Sequence, residues 1–147
     1  MNFKFRYNAL LSYRKRLKEV AEIELSHAQL ELKQNNERLL FLNKELQEAQ
    51  YNLATGLKER ISSSLLINCS EHINSMKIKI IRQKMMIINS EKIVEKKMKN
   101  VIEKTKQYKV IEKLREKDLK KWNYHQHLME EKELSEAAIV RFGKEFI

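Results

Sequence analysis

The chain has 147 residues, with no proline, two glycines, one cysteine, 34% charged residues, 7% aromatics and a formal net charge of +10. That composition excludes a turn-rich β fold, which needs Gly and Pro at its turns, and a globule with a broad core. It also excludes an intramolecular disulfide. The longest uncharged run, Ile61–Ser70, falls far short of the ~20 apolar residues of a membrane-spanning helix.

Residues 1–9 place Phe3, Phe5 and Tyr7 at alternate positions with nothing nearby to pair as a strand, and they read as a loosely ordered lead-in. No apolar core follows Arg6, Arg14, Lys15 and Arg16, so a signal peptide is not expected. Helix 1 is expected over about 9–57. From Leu25 its apolar residues step alternately by three and four through Ala28, Leu32, Leu39, Leu42, Leu46, Ala49 and Leu53, and only Asn35 interrupts this heptad seam. Before it, Leu10, Tyr13, Leu17, Ala21 and Leu25 include consecutive steps of four, a stutter that locally unwinds a supercoil. Off-seam Leu11, Val20, Ile23 and Leu30 add more apolar surface at this end than one partner helix covers.

A break is expected at about 58–64. Gly56 can serve as the C′ residue of helix 1, and Ser62, Ser63 and Ser64 are candidate N-caps for the next helix. Helix 2 is expected over about 65–140. Its seam takes Leu66, Cys69, Ile73, Met76, Ile80, Gln83, Ile87, Ser90 and Val94. A narrow seam cannot be buried alone, and the second half of the chain supplies the partner for the first. The expectation is therefore an all-α fold, an antiparallel two-helix coiled-coil hairpin with helix 2 longer than helix 1, in a single domain over residues 1–147. Folding back at the break sets Asn35 against the region Gln83–Ser90, where a polar seam residue fixes register at a cost in stability.

Helix 1 begins near Ala9, so its partner runs out near residue 113. Helix 2 then overhangs by about 40 Å at 1.5 Å per residue. The overhang carries Leu119, Trp122, Leu128 and Leu134 with no partner inside such a hairpin, beside Leu10, Leu11 and Leu17 of helix 1. Unpartnered apolar residues gathered at one end mark an end that docks into something. Residues 92–121 hold 12 basic and 5 acidic residues, most of the chain's excess charge, and this favours an anionic partner. A solvated helix face is the plainer account of the same run.

Little else carries chemistry. His125 and His127 are two apart and point to different sides of a helix, whereas helical metal pairs need spacings of three or four. There is no Gly-rich phosphate loop and no Ser/His/Asp or Cys/His arrangement. No catalytic residue, metal site or cofactor is expected, and the chain reads as a non-enzyme. Met85, Met86 and Met98 read as seam fillers. Trp122 and Tyr124 among lysines could stack on single-stranded nucleic acid, but Trp is also a common protein-contact anchor. A basic coiled-coil nucleic-acid-binding protein is the alternative from a different class.

The opening FKFRYNALLSYRKRLKEVAEIELSHAQLEL resembles the start of FliJ-type flagellar export proteins, with its Phe-x-Phe-Arg lead-in, Leu-Leu pair and Arg/Lys cluster. Val110–Lys121, VIEKLREKDLKK, resembles that family's second signature, and the break with Ile67-Asn68 sits where the family places it. The resemblance covers nearly the whole chain. It implies an antiparallel two-helix coiled coil similar to the stalk of rotary ATPases. It further implies a motility-related cytoplasmic component of the flagellar type III export apparatus, peripheral at the inner membrane, with no nucleic acid among its partners and no transmembrane segment. The implied partners are the hexameric export ATPase, whose central hole takes the open end of the hairpin, the membrane-embedded export gate, and export chaperones. The ATPase-docking end would hold Leu10, Leu11, Leu17, Lys113, Lys117, Lys121, Trp122 and Leu128. The gate-facing positions would fall on His72, Met76, Lys79 and Gln83. The alternative leaves Met76 in the seam and the others facing solvent.

Overall fold

A computed structural model describes residues 2–145. Residue 1 and residues 146–147, which the single-domain expectation includes, lie outside the described residues. Two helices make up the fold, α1 (Asn8–Lys58) and the longer α2 (Ser63–Glu145), packed against each other as a helical hairpin. Among the described residues there is no strand, and no helix is long and apolar enough to cross a membrane. The chain divides into two compact units, one of Met1–Glu19 with Glu103–Ile147 and one of Val20–Ile102.

The unit Val20–Ile102 is the two-stranded hairpin that the heptads specify. Ala21, Ala28 and Leu42 of α1 and Ile73, Met76, Ile80 and Ile87 of α2 are buried. Leu42, Met76 and Ile80 form its centre, with Leu39 and Leu46 packed against them. Of the polar members of the seam, Gln83 and Ser90 are buried and Asn35 is half-buried, and they satisfy one another. Asn35 Nδ2 donates to Ser90 Oγ at 2.7 Å, and Gln83 Nε2 donates to the Asn35 carbonyl oxygen at 2.9 Å. A slip of one turn would strand these groups without partners, so the layer selects this register over its neighbours. Lys97 and Glu24 add an ion pair across the helices at 3.2 Å, half-exposed and worth little to stability.

The break closes differently from the expectation. Gly56 is not the C′ residue; it lies inside α1 without positive φ. The left-handed residue is Arg60, at φ 55°. The Ile61 N–H donates to the Gly56 carbonyl at 3.2 Å, the six-to-one bond of a Schellman cap. Gly56 packs closely on the turn: a Cβ there would meet Ile61 Cδ1 at 2.6 Å, so the end of that side chain would have to shift to admit one. Of the three candidate serines, Ser62 is the N-cap of α2, its Oγ accepting from the Leu65 N–H at 3.4 Å. A side chain held in the left-handed region costs ~1 kcal/mol or more. Arg60→Gly is therefore expected to stabilise the protein by about 1 kcal/mol, read as a shift in urea midpoint at unchanged m-value.

The unit Met1–Glu19 with Glu103–Ile147 corrects a second expectation. The lead-in is not loose, because Phe5 is buried. Phe3 packs on Trp122 with ring centroids 6.0 Å apart, and the Arg115 guanidinium lies 5.8 Å from the Phe3 ring centre. Phe5 meets Tyr7 edge-on at 5.9 Å. The physical reason is reach. An extended residue advances ~3.3 Å where a helical residue advances 1.5 Å. The four residues before the turn at Arg6–Tyr7 lie outside any helix, and at the extended rise they cover about nine residues of α2, enough to pass residue 113 and arrive at Trp122. Arg14 Nη1 donates to the Gln107 carbonyl at 2.9 Å, Lys18 Nζ sits 5.2 Å from the Tyr108 ring centre, and Ile111 is buried.

Candidate docking surfaces

All eight residues expected at the docking end fall in the unit Met1–Glu19 with Glu103–Ile147. Leu10, Leu11 and Leu17 are half-buried. Lys113, Lys117 and Lys121 are exposed. Lys113, Lys117 and Lys121 are four apart and Lys106 lies seven residues before Lys113, spacings that keep all four on one face of α2, away from the buried row that contains Ile111. Lys104 is half-buried and lies outside that face. The basic run thus becomes a directional surface, a helix flank that presents ammonium groups at regular intervals.

Trp122 is half-buried under Phe3, so the expectation that it lacks a partner within the chain is corrected. Beyond it, Leu128, Leu134, Ile139 and Val140 are exposed on α2. The apolar content of this end therefore has two parts: an aromatic cluster of Phe3, Phe5 and Trp122 with Arg115 against it, and an uncovered helical segment after it. Phe3, Phe5 and Arg115 were missed as site residues. Their signal was present in the alternation of aromatics at 3, 5 and 7, and in the seven-residue step from Tyr108 to Arg115 to Trp122.

The four positions expected to face the gate lie in the other unit, and they do not form one accessible face. Met76 is 2% exposed and Gln83 3%, both enclosed between the helices, whereas His72 and Lys79 are exposed. The cause is their spacing. Steps of four, three and four keep all four together on the helix, but that is also the step pattern of the seam, so the row straddles the seam edge. His72 borders a shallow groove with Glu45, Glu48, Asn52, Asn68 and Cys69. Lys79 borders a second groove with Arg38, Phe41, Glu45, Arg82 and Met86. Among the described residues, no group of three or more His, Cys, Asp or Glu side chains is placed to hold a metal ion.

A long two-helix hairpin with a basic flank and an aromatic cluster on its α2 defines an elementary class, the helical hairpins that offer surfaces rather than pockets. The family model described as "Flagellar FliJ protein" matches residues 3–145, and the chain belongs to that family. It is accordingly a type III export-related protein of the flagellar kind. A solved structure described as a YscO homolog, CT670 from Chlamydia trachomatis, is similar in fold. Its TM-score is 0.63 at 16% identity, over 95% of this chain and 94% of that one. No curated protein matches the sequence.

Proposed function

We propose that this protein is a non-enzymatic stalk or adaptor of flagellar type III export. In this reading the unit Met1–Glu19 with Glu103–Ile147 enters the central hole of the hexameric export ATPase. The observation that carries it is the exposed face of Lys106, Lys113, Lys117 and Lys121, on the same unit as the Phe3–Trp122 cluster and the uncovered Leu128. A cationic helix flank suits an acidic ring interior, because complementary potential sets encounter rate and orientation. Apolar and aromatic side chains supply the contact that holds.

The early part of α2 meets the export gate and the export chaperones. There His72 and Lys79 make the contact, and Met76 and Gln83 hold the helix that presents them. The protein works in the cytoplasm, peripheral to the inner membrane. Among the described residues nothing offers an enclosed site with convergent polar groups, and the reading assigns no catalysis.

Capture of the purified export ATPase by this protein, compared with a nucleic-acid mobility-shift assay over a salt series, tests the reading. ATPase capture with no specific shift supports it. A shift that weakens steeply with salt, together with no ATPase capture, means that the basic face reads phosphate instead. Trp122 favours the first outcome, since Phe3 already occupies part of its surface and leaves less of the ring for a base.

A further inference from the structure

The α2 helix carries a second apolar row that its partner does not cover. Ile78, Ile81, Met85 and Ile88 step by three, four and three, and each is more than half exposed. They lie on the side of α2 away from the buried row Ile73, Met76, Ile80, Gln83 and Ile87. Single exposed apolar residues are ordinary, but four in register on one flank make a continuous stripe. On α2 itself the charge around it has one sign, and the carboxylate that comes near from α1 is Glu45, on the groove beside Lys79 and Arg82. Residues 72–90 hold Lys77, Lys79, Arg82 and Lys84 and no Asp or Glu. All four cations are exposed. Lys77 and Lys84 are helical neighbours of Ile81 on one edge of the stripe, and Arg82 neighbours Ile78 and Met85 on the other.

We propose that this stripe is a membrane-surface contact, laid on a bilayer rich in anionic lipid with the four apolar side chains in the headgroup region. Charge complementarity chooses the occupant. A second copy of the stripe would bring Lys77, Arg82 and Lys84 against the same residues, a like-charge arrangement that opposes pairing. A helix partner from another protein would ordinarily be met with both signs at the flanks of the seam. A predominantly cationic edge around a short apolar row, with four cations on α2 against Glu45 of α1, is the pattern of an interfacial helix, in which apolar insertion and attraction to anionic headgroups act together. The stripe is short, so the binding is reversible and needs both components. This inference does not rest on the ATPase-docking reading, which concerns the other unit.

Co-sedimentation of the full chain with vesicles tests it, comparing phosphatidylcholine alone with phosphatidylcholine containing phosphatidylglycerol. Binding is expected only with phosphatidylglycerol. The triple variant Ile81→Gln, Met85→Gln, Ile88→Gln, which alters exposed positions and no net charge, is expected to bind at least tenfold more weakly at unchanged helicity. Ile81→Gln alone gives the same direction should the triple variant lose helicity. Lys77→Gln with Lys84→Gln is expected to reduce the dependence on phosphatidylglycerol. Equal binding by wild type and the Gln variants overturns the proposal, because the basic run after residue 91 would then be the lipid contact. Absence of vesicle binding overturns it as well. So does a concentration-dependent dimer that the Gln variants abolish, which would identify a second copy as the occupant.

Discussion

Met76→Ala is expected to lower the unfolding free energy by about 2–5 kcal/mol, the range for truncating a fully buried long apolar side chain. Met76 is the largest fully buried side chain of the protein and sits in the central cluster with Leu42 and Ile80. A two-helix seam has few layers, and loss of one removes a large share of the core. A loss of that size is a substantial fraction of the 5–15 kcal/mol typical of a domain. His72→Ala, four residues away but exposed, is expected to change stability by less than about 0.5 kcal/mol. Thermal melts of the two variants check this directly. The contrast also separates two meanings of the proposed gate-facing row. Export impaired by His72→Ala at unchanged stability indicates contact with a partner, whereas export impaired by Met76→Ala indicates a weakened scaffold.

Reversing Lys113, Lys117 and Lys121 together to Glu is expected to slow and weaken association with the export ATPase by roughly 10²-fold at low ionic strength, within the range of electrostatic steering. The three groups are exposed on one flank of α2 and make no ion pair among the described residues, so their replacement disturbs no packing. Helicity should be retained. The wild-type association should itself weaken as salt rises, with the difference between wild type and variant shrinking over the same series. Unchanged stimulation of ATPase activity by the reversed variant would leave the flank as a solvated helix face.

The heptad half of the molecule was legible in the sequence. Alternating steps of three and four from Leu25 to Leu53, and the matching steps from Leu66 to Val94, determine which side of each helix is buried. Asn35 could be set against Gln83–Ser90 because folding back at the break fixes which positions of the two helices face each other. The end around Trp122 was not legible in the same way. Pairing helix against helix gives each residue of one strand a partner in the other, and this misses the longer reach of an extended segment. Phe3 and Phe5 cover part of the apparent overhang for that reason. The gate-facing row shows a different limit. A spacing of four, three and four says that residues lie together on a helix, but not whether that side looks inward or outward. The closing turn shows a third. Gly56 and Arg60 both lie at the end of α1, and glycine's usual role at C′ pointed to the wrong one, because here the left-handed position falls on Arg60 while Gly56 stays helical beside Ile61.

The central claim, that the unit bearing Trp122 docks into the export ATPase, is tested most directly by titrating that ATPase with wild type and with Trp122→Ala. Affinity and thermal stability of the free protein should be measured side by side. Trp122 is half-buried against Phe3, so the substitution should lower the free protein's melting temperature only slightly. The account predicts a loss of affinity of about 1–3 kcal/mol, as for an interface anchor, and a similar loss for Leu128→Ala. A Trp122→Ala protein that melts well below wild type yet binds the ATPase with unchanged affinity would contradict it, and would assign Trp122 to the fold alone.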